Sequence, residues 1–193
     1  MENSIDNLKL QAQQGDVEAQ VQLATAYRSG QGVEKDMCLA FEWFKKAAMS
    51  GHAHAQYNLA MRYFNGQGVE RDFKHATLWF AKAADQGHVQ ALYALGFRYL
   101  NGDGVDKNRA VAMEIFEKVA QHGFAYAQYN LGKQHYDFLQ YELAVTWLQK
   151  AVLQDYPQAM LLLATCYELG RGVSVDKEKA SLLRNGANSL LAK

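Results

Sequence analysis

Four kinds of short motif in this sequence have residue types and spacings that chemistry could use. Gly30-Gln31-Gly32-Val33, Gly66-Gln67-Gly68-Val69, Gly102-Asp103-Gly104-Val105 and Gly170-Arg171-Gly172-Val173 pair glycines as phosphate-cradling loops do. A phosphate loop follows a strand and continues into a further Gly or into Gly-Lys-Ser/Thr; each copy here follows a helical pattern and lacks that continuation. Their repetition marks a helix turn. His52-Ala53-His54 could offer two metal ligands, but no Cys or carboxylate joins them at ligand spacing. His52 and His88 follow terminating glycines at equivalent places, where an imidazole is expected to meet helix-end carbonyls. Ser174-Val175-Asp176-Lys177 has the Ser-x-x-Lys spacing of penicillin-interacting serine enzymes without their Ser-Asp-Asn and Lys-Thr-Gly companions. Ser174 reads more simply as a loop residue just before a helix cap. Cys38 and Cys166 stand far apart and suggest neither a disulfide framework nor a zinc site. No catalytic residue, metal or cofactor is assigned.

The elements that position these motifs come from a repeat. Gly51, Gly87 and Gly123 are 36 residues apart, as are Ala19, Ala55, Ala91 and Ala127, and Leu23, Leu59, Leu95 and Leu131. Ala40, Ala76 and Ala112 keep the same step, and Trp43, Trp79 and Ile115 share one position. After Leu131 and Gly132 the pattern shortens: Ala144, Trp147, Lys150 and Ala151 arrive four residues early, and Asp137-Phe138-Leu139-Gln140 replaces the glycine loop. The fifth unit regains the full form through Ala159, Leu163, Tyr167, Asp176 and Ala180.

Within a unit, Ala55, Leu59 and Tyr63 fall on one face of a first helix, and Ala76, Trp79, Phe80, Ala83 and Ala84 form the stripe of a second. Gly66 ends the first helix, Gly68 turns the chain, and Asp72 caps the second helix, with Asp36 and Asp176 as its equivalents. Such stripes are buried only by stacking on neighbouring repeats. Segmentation follows: a capping helix at 1–14, repeats at 15–50, 51–86, 87–122 and 123–154, and a last repeat with its cap at 155–193, all in one domain. Leu8 and Ala12 match Phe44 and Ala48 one period later, as a half-repeat cap would.

Composition fits a fully folded chain. Hydrophobic residues make up 49% and charged residues 21%, and 20 basic against 20 acidic side chains leave no net field to attract nucleic acid or an anionic membrane. No apolar run reaches membrane-spanning length, and Met1-Glu2-Asn3-Ser4-Ile5-Asp6 does not read as a secretory leader. The expectation is a cytoplasmic protein, or a secreted or periplasmic one if a leader has been removed.

Ala, Leu-Gly or Leu-Ala, Tyr, Gly-x-Gly-Val, Asp, Ala, Trp, Lys-Ala-Ala and Gly, in register over roughly residues 15 to 187, resemble the Sel-1-like repeat family, relatives of the tetratricopeptide repeats. The fourth unit departs in its loop and the third in Ile115. The resemblance implies an all-α fold, a right-handed α/α superhelix of about five helix-turn-helix repeats with a capping helix. It also implies an adaptor or scaffold, commonly bacterial in short free-standing arrays, with no fixed partner or reaction. Some cysteine-rich relatives have been linked to β-lactamase activity, but their paired-cysteine pattern is missing.

By the same resemblance, first helices line the inner surface. Tyr57, Met61 and Phe64 form a second apolar stripe there, repeated by Tyr93, Phe97 and Leu100, with Tyr129, Lys133 and Tyr136 in the fourth unit. Exposed, these nine residues would anchor a protein or peptide; otherwise they pack against the next repeat. Arg62, Arg98 and Lys133 could hold a partner's carboxylate, or be solvated helix residues. The chain is expected to be a non-enzymatic, monomeric binder of protein or peptide, with self-association or a spacer role as the alternative.

Overall fold

Most helices begin where the sequence offers a hydrogen-bond acceptor and end where it offers a residue that tolerates the left-handed conformation. The Asp36 carboxylate accepts from the Cys38 and Leu39 N–H groups at 2.8 and 2.9 Å, Asp72 accepts from His75 N–H at 3.0 Å, and Asp176 from Lys179 N–H at 2.9 Å. Gly30, Gly66 and Gly170 close first helices at φ of 77°, 68° and 67°. The computed structural model describes residues 2–192, with the side chains of 5–192. Among the described residues there are eleven α-helices and no strand. They are α1 (Glu2–Gln13), α2 (Val17–Ser29), α3 (Met37–Met49), α4 (Ala53–Asn65), α5 (Phe73–Asp85), α6 (Val89–Asn101), α7 (Arg109–Gln121), α8 (Ala125–Asp137), α9 (Tyr141–Val152), α10 (Pro157–Leu169) and α11 (Lys177–Leu191). They form two compact units, residues 1–112 and 113–193.

In the first unit α2 pairs with α3 and α4 with α5, while α3 packs on α4, α5 on α6 and α1 on α2. Phe44 and Phe80 are fully buried between the pairs. Trp43 and Trp79, one residue earlier, are half-buried and lie under the ammonium groups of Lys46 and Lys82, at 4.0 and 4.3 Å. Ala12, Ala19 and Leu23 form a small cluster with Ile5 and Leu8, so α1 covers the free side of α2. A buried amide fastens successive pairs: Gln20 Nε2 donates to the Ala12 carbonyl and Gln56 Nε2 to that of Ala48, both at 3.2 Å. These bonds add a second donor to helix-end carbonyls that already accept from the Gly15 and Gly51 N–H groups.

Gly68 has a sharper constraint than turn geometry. Its φ is 76°, and a Cβ there would overlap the Met37 carbonyl and the Cys38 nitrogen at the start of α3. Gly104 sits in the same way on Phe73 and Lys74 at the start of α5. The second glycine of these two loops therefore lets backbone rest on the backbone of the preceding pair.

In the second unit α8 pairs with α9 and α10 with α11, and α9 packs on α10. Leu148 and Cys166 are fully buried here, and Gln128 repeats the amide bond, to Ala120 at 3.3 Å. The short 138–140 connection turns through Leu139 at a φ of 62°. Close approach of the two helices is visible at Gly132, where a Cβ would stand 2.9 Å from Leu148 Cγ. Gly172 meets Tyr141 at the start of α9 as Gly68 meets Met37.

Candidate partner-binding site

The nine candidate anchors are neither free anchors nor sealed core. All are half-buried except Lys133, which is exposed. The Tyr57 ring stacks 4.7 Å from His88 and lies 5.9 Å from Phe80, so most of it serves the joint between α4, α5 and α6. Phe64 packs 5.4 Å from Phe73. Tyr93 and Phe97 meet edge to face at 5.0 Å on α6, which also carries Leu100. In the second unit Tyr129 lies 5.3 Å from Tyr156, and its phenol is pushed up by burial. Tyr136 meets Tyr141 at 5.3 Å and accepts a hydrogen bond from the Arg171 guanidinium. Lys133 is already engaged by Asp137 at 2.8 Å, which raises its pKa.

Met61 opens onto a cleft of about 320 Å³ in the first unit. Its apolar wall is Met37, Tyr57 and Met61; the rest is Arg28, Asn58, Arg62, Asn65 and Gln67. Arg62 corrects the expectation of a solvated helix residue, being only 4% exposed, and Arg98 one period later is 8% exposed. The position is interior because its counterparts in the first and fifth units are Ala26 and Cys166, both buried. That substitution pattern was visible in the sequence and is the signal that could have placed the two arginines inside.

Their surroundings differ. Arg98 lies 3.9 Å over the Phe64 ring, with Nη2 3.7 Å from the Asp103 carboxylate. Arg62 donates to the Gln67 side-chain carbonyl, and Phe44 is 5.7 Å away. Both guanidinium groups keep buried nitrogens without a hydrogen-bond partner, Nε in Arg62 and Nε and Nη1 in Arg98, so the difference lies in the nearby carboxylate. Burial lowers the pKa of both; Arg28 lowers that of Arg62 further, whereas Asp103 opposes the shift at Arg98.

The histidines also depart from expectation. His52 and His88 cap the following helices rather than meeting preceding carbonyls: their Nδ1 atoms accept from Ala55 N–H at 3.2 Å and Ala91 N–H at 3.3 Å. Asp16 holds the equivalent place before α2, accepting from Ala19 N–H at 2.8 Å. A ring nitrogen one bond from Cγ can stand in for the Asp oxygen, which is the physical reason. His54 Nδ1 lies 3.4 Å from His88 Nε2, and His52 Nε2 lies 3.4 Å from Glu18. Among the described residues no three His, Cys, Asp or Glu side chains gather as metal ligands, and no helix is long and apolar enough to cross a membrane.

The Sel1 repeat profile matches five consecutive segments, 17–52, 53–88, 89–124, 125–156 and 157–180. The chain belongs to the Sel1 repeat family. Among solved Sel1-type structures, a protective antigen of uropathogenic Escherichia coli with an SLR fold superposes with a TM-score of 0.90 at 30% identity, over 96% of this chain and 41% of that one. This Sel1 array thus spans less than half the length of the antigen. A Sel1 repeat protein from Oxalobacter formigenes aligns at a TM-score of 0.88 and 29% identity, covering 98% of this chain and 79% of that one. An immunity protein of Pseudomonas aeruginosa shares the fold at a TM-score of 0.63 and 22% identity, over 98% of this chain and 73% of that one. No curated protein sequence matches the chain. Sel1 repeats generally take part in protein–protein interaction.

Proposed function

We propose that this Sel1 array is a non-catalytic adaptor that holds a protein or peptide against its first helices. In the first unit contacts would come from Tyr57, Met61 and Phe64 on α4 and Tyr93, Phe97 and Leu100 on α6; Tyr129, Lys133 and Tyr136 on α8 form a separate candidate set in the second unit. The observation that carries this reading is the cleft beside Met61. There, partly exposed apolar side chains stand next to hydrogen-bonding groups, the mixture that recognises a peptide. A reducing cytoplasm is part of the proposal and fits two free cysteines, Cys38 and Cys166. A photo-crosslinking residue at position 61, 97 or 100 should yield one saturable adduct in native lysate, while the same group at the exposed Lys74 or Lys82 should not. Equal adducts from both sets, or none, would overturn the assignment of this face.

A second reading, self-association, has one observation in its favour. Met160, Leu163, Tyr167, Leu182 and Leu183 line an apolar groove of about 320 Å³ on the last helix pair, with Leu182 65% exposed. Concentration-dependent mass in light scattering, abolished by Leu182→Lys, would support it; a constant monomer mass would end it.

A further inference from the structure

The cleft in the first unit concentrates positive charge without an internal counter-ion. Arg28 and Arg62 both line it, and among the described residues neither makes an ion pair. The α4 sequence contains no acidic residue, and the single acid of α2, Glu18, lies 3.4 Å from His52. No lining residue is acidic, and three carry amides that can donate N–H groups. A buried guanidinium ordinarily has a carboxylate partner, because leaving the charge desolvated and unpaired is costly.

The next repeat supplies an internal control. One period on, Phe64 replaces Arg28 and Asp103 replaces Gln67, so Arg98 has an aromatic face and a carboxylate where Arg62 has a second cation and an amide. Asp103 is further tied to Asn101, which donates to it at 3.3 Å. The fold therefore accommodates a neutralised version of this site 36 residues away, and the second repeat leaves the anion out.

We propose that the Arg28–Arg62 cleft binds a side-chain carboxylate of an acidic peptide segment, with an apolar neighbour of that residue packed on Met37, Tyr57 and Met61. The assignment rests on the adaptor reading above and specifies its partner. A Glu or Asp side chain presents two oxygens to the guanidinium fork, as Asp103 presents one to Arg98. Two cations facing a single pocket, in a chain with no net charge, do not make the stripe that tracks a nucleic-acid backbone.

The probe is a fluorescein-labelled library of amidated dodecapeptides, each with one Glu or Asp at varied spacing from a Leu or Phe, and a twin in which Gln or Asn replaces the acid. At least one acidic member should bind with a Kd under about 1 mM and about tenfold more tightly than its twin. Its affinity should fall on raising salt, and it should shift the Arg62 side-chain resonances in NMR. Arg28→Ser and Gln67→Asp are surface changes that should each weaken binding about tenfold, the second by installing the internal carboxylate of the third repeat. Asp103→Asn should leave binding unchanged.

Equal binding of the twins, or no binding by any member, would overturn the proposal. So would affinity indifferent to Arg28→Ser and Gln67→Asp. Equal competition by inorganic phosphate or an oligonucleotide would also overturn it, showing a site for anions at large. In each case the cross-link at 97 or 100, outside this cleft, reads the adaptor function separately.

Discussion

The second and third repeats place an arginine at the same interior position and treat it in opposite ways. Arg98 is covered by Phe64 and balanced by Asp103, so its charge is spent within the fold. Arg62 shares an open cleft with Arg28 and donates only to the neutral Gln67 amide, so its charge is not balanced within the cleft. The helices and loops around the two correspond one period apart, and the difference in charge lies in Phe64 for Arg28 and Asp103 for Gln67, while Phe73, Ala94 and Phe97 replace Met37, Asn58 and Met61 in the lining. A repeat scaffold can hold its geometry fixed while the charge balance of a single pocket changes.

The loops that seat the two repeats are the first target. Gly68→Ala and Gly104→Ala each drive a Cβ into backbone of the preceding pair at positive φ, and each should destabilise by about 3 kcal/mol or more, measured by chemical denaturation. Unequal costs would mean that the two loops are seated differently and that the repeats are poor controls for each other.

Next comes the paired substitution of the arginines by an apolar residue of similar length. Arg98→Met leaves the Asp103 carboxylate without its cation and should cost about 2 kcal/mol. Arg62→Met removes an unbalanced charge and should change stability by less than about 1 kcal/mol, in either direction. Equal losses in thermal or urea melts would show that Arg62 is held as well as Arg98 is.

Gln67→Asp should bring the second repeat toward the third. A carboxylate beside Arg62 should stabilise the chain by about 0.5 to 1 kcal/mol at low salt, and the gain should shrink as salt is raised. A loss of stability at every salt concentration would indicate that the Gln67 amide, not an anion, is what the guanidinium requires.

The smallest effect is a pH dependence at the joint between the two repeats. Burial lowers the pKa of His54 and His88 below the ordinary 6.5; the neighbours His52 and Arg28 lower His54 further while Glu18 raises it, and His54 lowers His88. The unfolded chain therefore takes up protons first as pH falls. Stability should be complete above about 6.5 and decline below it until the folded-state rings also protonate. His54→Gln with His88→Asn, which keeps a capping residue before α6, should flatten that slope in melts between about pH 7 and 5. An unchanged slope would place the titration elsewhere.

The repeat, the helix caps at Asp36, Asp72 and Asp176, and the first-helix stripe were readable because each depends on local chemistry recurring at a fixed step. Arg62 and Arg98 were harder, since a charged residue on a helix is solvated by default and only the small residues at the matching positions Ala26 and Cys166 mark the place as interior. Spacing puts His52 and His88 at the right turns but does not say which helix end each ring nitrogen serves, and both serve the helix that follows. The half-burial of Met61 and Phe64 depends on side chains from neighbouring helices, which no single-helix periodicity contains.

The seating of Gly68 on Met37 and of Gly104 on Phe73 has a hereditary consequence. Where consecutive pairs meet there, main-chain atoms rest on main-chain atoms and that point asks only for glycine, while recurring side chains such as Phe44, Phe80 and Gln56 fill the rest of the join. An in-frame duplication, loss or exchange of a whole unit recreates the same seat wherever the glycine is retained. Lineages can therefore lengthen or shorten such an array, and let charge drift from pocket to pocket, without inventing a new junction each time.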